Sequence, residues 1–527
     1  MPDHDALIIG AGFAGLYQLH LLRGRGFDAH VVEAGADVGG TWYWNRYPGA
    51  RCDIESVEYS YSFDPDLEQE WEWSERYAAQ PELHAYARHV ADRFDLRKDI
   101  TFGVRITALD WSEDRREWTV TGDDGSVRTA RHVIAATGCL SMPSRPDFPG
   151  LAEFAGELHR TSNWPSEDVD LTGKRVAVIG TGSSGLQTIT AIAPVVGELT
   201  VFQRTPCFAV PAHNGPAQPR LAEARGRYRE IRKANRLSPD GFQCHNGQIP
   251  LLDTDPAAVH AEFDRRWETG GLCFDRSFPD ILTDLTANET AAEYVRSRIR
   301  AKVRDPELAE KLSPRTYPIA SKRMCVDTGY YEVFNRPNVS LVDLTEQPIR
   351  WFTRRGIVAG DTEHDLDVVI LATGFDAMTG ALDAIDIRSG GRTLREKWAR
   401  GPRTYLGLMS AGFPNLFLVC GPQSPSVLSN MLTSIEQHVE WIGTALAYLK
   451  DHDRTRMEAL PENEDNWVTT TNDLANLTLM PRAASWYLGA NIPGKERVFM
   501  PFVGGVGLYK QVSEGVAAAR YHGFDLS

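Results

Sequence analysis

One local pattern occurs twice in this chain, and it limits the fold more than any other feature. Residues 174–205, KRVAVIGTGSSGLQTITAIAPVVGELTVFQRT, pass from a β-branched run at 176–179 into a Gly180-x-Gly182-x-x-Gly185 turn, a helical stretch and a short strand at 199–202. Residues 6–33 repeat it: ALIIG, then Gly10-x-Gly12-x-x-Gly15, then LYQLHLLRGRG, then a strand ending at Glu33. In a β-α-β unit of this kind the glycines give a tight turn, a close backbone approach to a pyrophosphate and close helix-on-strand packing, while the helix N-terminus faces the anion. A lone glycine-rich turn arises by chance. Two of them, each with its flanking strands, predict an α/β fold with two Rossmann-like dinucleotide-binding domains and electron transfer between two dinucleotides.

The ends of the second strands distinguish the two sites. Glu33 ends the first, where a carboxylate can hold both ribose hydroxyls. The second ends in Gln203-Arg204-Thr205. An acid there would repel a 2′-phosphate, whereas an arginine and a hydroxyl can bind one, so the second nucleotide is expected to be NADPH. A surface arginine that merely follows a strand is the plain alternative.

Two apolar strands close on small residues, AATG at 135–138 and LATG at 371–374. Such an ending suits a backbone passing close under a cofactor, or simply a domain edge. Read as crossings, they place the second unit inside the first. The expected boundaries are 1–140 and 375–527 for the first dinucleotide domain, 141–208 and 320–374 for the second, and 209–319 for a charged helical insert whose middle, LSPDGFQCHNGQIP, reads as a mobile loop. Residues 54–103 are helical in pattern around PELHAYARHVADRF, and 106–120 and 125–136 read as hairpin strands.

The 527 residues exceed a single core, and a net charge of −15 argues against a general nucleic-acid or anionic-membrane surface. No apolar run approaches the ~18 residues that span a bilayer, and the first residues enter a strand with no basic leader, so a cytoplasmic protein is expected, working as a monomer on a small molecule. The seven cysteines are scattered with no Cys-x-x-Cys pair. They read as reduced thiols, and no metal site is expected.

Residues 39–53, GGTWYWNRYPGARCD, are unusual. The Gly39-Gly40 pair permits close backbone approach, Trp42, Trp44 and Tyr47 offer planar walls, and Arg51 and Asp53 need partners if they are buried. A packed loop with a satisfied Arg–Asp pair is the plain alternative.

Taken together, these motifs resemble the flavin-dependent Baeyer–Villiger monooxygenases along nearly the whole chain, particularly those acting on phenylacetone, cyclohexanone and steroids. Residues 39–53 carry that family's pattern of Gly, Trp, aromatic-Pro-Gly and Asp in full. Its other signature, Phe-x-Gly-x-x-x-His-x-x-x-Trp, is met by Phe154, Gly156 and Trp164, with Arg160 at the histidine position and His159 one residue early.

The resemblance implies FAD in the first domain and NADPH in the second. NADPH would reduce FAD, molecular oxygen would add to give an anionic flavin peroxide, and that peroxide would convert a ketone to an ester or lactone. It makes Arg323 the catalytic cation, which is never deprotonated at working pH, with Asp53 holding it in position. Lys322 would join Arg204 at the 2′-phosphate. The cofactor-binding residues it implies are Gly10, Gly12, Ala14, Gly15, Glu33, Gly40, Thr41, Trp42, Arg51, Asp53, Tyr59, Val104, Gly180, Thr181, Gly182, Ser183, Ser184, Gly185, Gln187, Arg204, Thr205, Lys322, Met431 and Trp486. Pocket walls are expected from 421–431, 485–494 and the helical insert. Rival readings are a flavin monooxygenase oxidising amines or sulfides, a disulfide reductase, which the lack of Cys-x-x-Cys disfavours, and a silent NADPH sensor.

Overall fold

The computed structural model describes residues 2–527. Six strands come first: β1 (His4–Ile9), β2 (Ala29–Glu33), β3 (Ile100–Phe102), β4 (Ile106–Ser112), β5 (Glu117–Gly122) and β6 (Val127–Ala135). Then follow β7 (Glu157–Arg160), β8 (Arg175–Ile179), β9 (Glu198–Gln203), β10 (Ala209–Pro211), β11 (Cys325–Asp327) and β12 (Val339–Asp343). The antiparallel trio β13 (Ile349–Phe352), β14 (Gly356–Ala359) and β15 (Thr362–Asp365) precedes β16 (Val368–Leu371), β17 (Asp386–Ser389), β18 (Arg392–Thr393) and β19 (Leu416–Leu418).

Two large sheets result. The first runs β18-β17-β4-β5-β6-β1-β2-β3, with β19 added to β6. Within it β3, β2, β1, β6 and β19 are parallel neighbours. The second, β12-β9-β8-β16-β7, is parallel throughout. All strands of the second lie in sequence between β6 and β17 of the first, so one Rossmann-like unit is inserted into the other.

The strand sequences explain the layering. Ala6, Leu7 and Ile8 of β1, Val176 to Val178 of β8 and Val368 to Ile370 of β16 are all fully buried. Near-continuous apolar runs are what parallel strands covered on both faces require. Helices Phe13–Gly24 and Ser183–Ile192 follow the two glycine turns directly.

Three details differ from expectation. Residues 106–120 form two strands, β4 and β5, because the polar run at 113–116 turns the chain with Arg116 at φ +50°. That turn lacks the glycine or proline that marks most hairpins. The insert holds helices Gln218–Arg225, Tyr228–Leu237, Pro256–Thr269 and Leu285–Lys302, but begins with β10, which pairs with β11. Finally, the cysteines are not all free: Cys244 and Cys273 are bonded with Cα atoms 5.7 Å apart, brought together by the return of helix Pro256–Thr269. Residues between 238 and 250 have little regular structure, yet they are tied down at several points: Asn430 donates its backbone N–H to Asp240 O at 2.8 Å, and Gln243 donates to Glu58 Oε1 at 2.8 Å.

Candidate active site

At the first turn, Gly10 has φ +103°, and a Cβ there would lie 2.7 Å from Ala136 O. A Cβ on Gly15 would collide with Gly10 O, and one on Gly40, at φ +53°, would lie 2.8 Å from Gly12 Cα. Only glycine fits, and the result is a bare backbone floor before helix Phe13–Gly24. Glu33 ends β2 beside it. Its carboxylate accepts from Ala11 N–H and Gly35 N–H, both at 2.6 Å, while burial pushes its pKa up against those donors. Val104 donates its N–H to Glu33 O at 3.0 Å. Trp42 is buried and donates Nε1–H to the Tyr59 hydroxyl at 3.2 Å, and the Tyr59 ring in turn packs 5.8 Å from that of Phe13. Thr41, exposed, opens the short helix Thr41–Trp44. Ala14 is half-buried on helix Phe13–Gly24.

The second turn repeats the device. Gly180 has φ +107°, and a Cβ would sit 2.5 Å from Ala372 O; one on Gly185 would strike Gly180 O. The two Ala-Thr-Gly endings thus seat the first glycine of each turn. Gly182 differs: nothing of the protein lies within 4 Å of a Cβ placed there. Ser183 and Ser184 open the helix, and Thr181 Oγ1 donates to Thr205 O at 3.0 Å, tying the turn to the Gln203-Arg204-Thr205 end of β9.

Arg204 is exposed, and Lys322 is half-buried with its ammonium 4.5 Å over the Tyr317 ring. Burial, then the positive charge of Arg204, pushes the Lys322 pKa down. Neither cation has a carboxylate partner among the described residues. Two adjacent unpaired cations at the end of this strand fit a phosphate.

Gln187 joins the two units. Tyr47 donates its hydroxyl to Gln187 Oε1 at 2.8 Å, Gln187 Nε2 donates to Arg51 O at 3.1 Å, and a Cβ on Gly49 would lie 2.5 Å from Gln187 O. Arg51 and Asp53 do not pair with each other. The Arg51 side chain goes to Glu75 and to Tyr77 O. Asp53 takes Arg323: Nε donates to Oδ2 at 2.6 Å and Nη2 to Oδ1 at 2.8 Å, and Nη1 donates to Val427 O at 2.6 Å. Burial alone would lower the Arg323 pKa, but Asp53 outweighs it and holds the guanidinium above its ordinary value.

Arg323 and Lys322 line a cavity of about 110 Å³ together with Asp240, Arg276, Ser429 and Tyr487. Its walls come from the insert and from the stretches near 425–429 and 487, with Thr478, Met480, Phe502 and Val503 as additions the sequence did not single out. Trp486 is not in the lining; its ring packs 4.4 Å from that of Tyr487, which is. Met431 packs against the apolar cluster that includes Tyr487. Arg160 ends β7, beside Leu371, and its Nε is buried without a hydrogen-bond partner. His159 instead faces Glu157 at 3.2 Å and packs on Trp164, ring to ring at 5.1 Å.

Sequence reasoning covered Val427 and Tyr487 only as members of the expected wall stretches 421–431 and 485–494, and it missed the Asp240–Arg276 pair. Of that pair only Arg276 carried a signal, as half of two adjacent charges, Asp275-Arg276, set between the phenylalanines of CFDRSF.

Comparison with known proteins places these features. A family model described as pyridine nucleotide-disulphide oxidoreductase matches residues 7–213. The chain is 42% identical over 530 residues to an acetone monooxygenase (methyl acetate-forming) from Gordonia sp. strain TY-5, covering 99% of both chains. It is 40% identical to a Baeyer–Villiger monooxygenase from Pseudooceanicola batsensis, covering 98% of this chain and 95% of the relative. An oxidized steroid monooxygenase bound to NADP superposes with a TM-score of 0.96 at 47% identity, covering 100% of this chain and 99% of that one. Full-length identity at this level, on the same two-unit fold, makes the chain a member of the Baeyer–Villiger monooxygenase family.

Proposed function

We propose that this protein uses NADPH and molecular oxygen to convert a small-molecule ketone to an ester or lactone, with FAD at the first glycine turn and NADPH at the second. The observation that carries the reading is the half-buried Asp53–Arg323 pair, whose arginine lines the wall of a cavity, on a chain with two glycine-turn floors. When bound, FAD supplies the oxygen-activating chemistry and NADPH the reducing equivalents.

The protein's own residues supply the rest. Glu33, at the edge of the first floor, would hold ribose hydroxyls, and Arg204 and Lys322 would hold the 2′-phosphate. Arg323 is a permanent cation for negative charge that develops on the reacting oxygen atoms. Asp53 fixes its orientation by two parallel hydrogen bonds and moderates its charge, and the Val427 carbonyl fixes the remaining edge. In a site walled by Leu428, Met480 and Phe502, each of these interactions is stronger than in water.

The test is turnover of FAD-loaded enzyme with NADPH, ¹⁸O₂ and a panel of ketones, with an amine and a thioether alongside. One ¹⁸O incorporated beside the carbonyl of an ester product is the expected result. Oxidation of the amine and thioether alone would assign the protein to the rival monooxygenase chemistry, which needs no Asp53–Arg323 pair.

A further inference from the structure

The wall that the insert contributes to the cavity is made by two segments with little regular structure. Pro239, Asp240 and Phe242 come from the stretch after helix Tyr228–Leu237, and Leu272, Asp275 and Arg276 from the turn after helix Pro256–Thr269. Cys244 follows the first three and Cys273 lies among the second three, so their bond ties one segment to the other across a sequence separation of 29. Both cysteines are half-exposed, and solvent reaches them. Of the remaining cysteines, Cys52, Cys139, Cys325 and Cys420 are buried.

The two segments meet without the bond. Gly247 donates its N–H to Arg276 O at 2.8 Å, Arg276 Nη2 donates to Asp240 Oδ1 at 2.7 Å, and Arg266 donates to His245 O. The second segment is also rooted in the core of the insert, where the Phe274 ring stacks on that of Phe263 at 5.2 Å. A partner for the reduced form is already in place: Gln243 O lies 3.7 Å from Cys273 Sγ, where a thiol can donate to it. The same backbone therefore accommodates a disulfide or a dithiol. What the bond alters is freedom of movement. A stretch without helix or strand opens locally at small cost, and a covalent tie to an anchored turn removes those open states. A wall already held in place loses less entropy when it closes around a ligand.

We propose that Cys244 and Cys273 form a redox switch on the cavity wall, lowering KM for ketone when the bond is closed and raising it when the bond is open. This rests on the ketone-oxidising reading of the same cavity. Hydrogen peroxide closes the bond. One cysteine, as its thiolate, takes a peroxide oxygen to become a sulfenic acid while the other oxygen leaves as hydroxide and picks up the thiol proton. The second thiol then displaces water from the sulfenic acid to form the S–S bond. In sum, two thiols are oxidised to one disulfide and one peroxide is reduced to two waters. A small dithiol reopens the bond by exchange and is itself oxidised to a disulfide. In a compartment kept reducing, a pair of this kind is closed only transiently, when oxidant arrives.

The test takes FAD-loaded enzyme through dithiothreitol and then hydrogen peroxide, removing each reagent by gel filtration. At each stage native-state thiols are alkylated with a maleimide and mapped by mass spectrometry. Cys244 and Cys273 should both become alkylated after dithiothreitol and both escape alkylation after peroxide. KM for whichever ketone of the panel turns over fastest, with NADPH in air, should be about 3- to 10-fold higher in the dithiol form, the scale of ordering one mobile side chain, with kcat the same within about twofold. Cys244→Ser should hold KM at the dithiol value after either treatment, which separates the switch from oxidation elsewhere in the chain. A bond that does not open or does not re-form, an equal KM in the two forms, or a serine variant that still responds overturns the proposal while leaving ketone oxidation standing. No ester from any ketone in either form overturns the ketone reading and this proposal with it. If Cys244→Ser does not fold, Cys273→Ser and the comparison of the two wild-type forms decide.

Discussion

Asp53 and Arg323 meet through two parallel hydrogen bonds, of 2.6 and 2.8 Å, across 270 residues of sequence. One partner follows the first dinucleotide turn and the other precedes β11 near the second, so the pair is assembled only when both units are in place. Arg323→Ala should leave FAD bound, with its absorbance intact, and lower ester formation at least ~100-fold, the scale of losing one preorganised donor to developing charge. Arg323→Lys should recover little, because an ammonium cannot make the two-pronged contact with Asp53. Near-normal lactone yield from Arg323→Ala would remove the residue from the mechanism.

Arg204 and Lys322 stand together without a carboxylate. Arg204→Ala should raise KM for NADPH by about 10- to 100-fold, the scale of a charge-assisted hydrogen bond, and leave KM for NADH almost unchanged. Since burial and Arg204 lower the Lys322 pKa, its charge is lost below the usual lysine range as pH rises. KM for NADPH should therefore climb as the pH rises, and begin to do so before an ordinary lysine would lose its charge. Lys322→Ala should raise KM at neutral pH and flatten that climb.

The first two glycines of the second turn separate folding from binding. Gly180→Ala forces a Cβ against Ala372 O at φ +107° and should cost ~1–2 kcal/mol or more, visible as a lower Tm. Gly182→Ala meets no protein atom within 4 Å. Its Tm should stay within about a degree of wild type, whereas NADPH binding, read by titration, should weaken because the new methyl occupies the approach of the pyrophosphate. Unchanged affinity would show that the nucleotide does not pass over Gly182.

Arg160 holds the position where the family signature has histidine. Arg160→His should leave ketone oxidation intact and introduce a pH dependence near neutrality that the arginine lacks. Abolished turnover would identify the arginine as a specialisation of this enzyme.

Acid stability should depend on two buried imidazoles. Burial lowers the His132 pKa to about 3 and the His438 pKa to about 4, against an ordinary value of 6.5. Both are neutral when folded and take up protons when unfolded, so their contribution is complete above pH 6.5 and is lost as the pH falls from there towards 4 and 3. His438 Nδ1 accepts Cys420 N–H at 3.0 Å. His438→Asn keeps an acceptor but cannot titrate, and should lower Tm at neutral pH while making its decline below pH 6.5 shallower.

What could be read from the sequence was local or carried by a strict pattern. The twin turns were legible because glycine spacing, strand burial and the residue ending the second strand all lie within ~30 residues and each has a single physical cause. Asp53 and Arg323 were legible only through resemblance; nothing in SKRMCVD reveals a partner 270 residues away. The small residues of the two Ala-Thr-Gly endings were visible, but their role as seats for Gly10 and Gly180 needed the sheets, since it depends on which strands become neighbours. The Asp240–Arg276 pair and the Cys244–Cys273 bond depend on how irregular loops fold back, and no periodicity encodes that. The turn at 113–116 was missed because Arg116 takes a left-handed conformation without a glycine to announce it.

Gln187 has a mechanical consequence. Its amide clasps the backbone of Arg51, two residues before Asp53, and it rides on the helix that starts at the second glycine turn. Residues 47–53 thus form a short strut from helix Ser183–Ile192 to the carboxylate that aims Arg323. Any displacement of that helix relative to the first unit must either break the Gln187 clasp or drag the strut along. The aim of the guanidinium is thereby geared to the seating of the second unit.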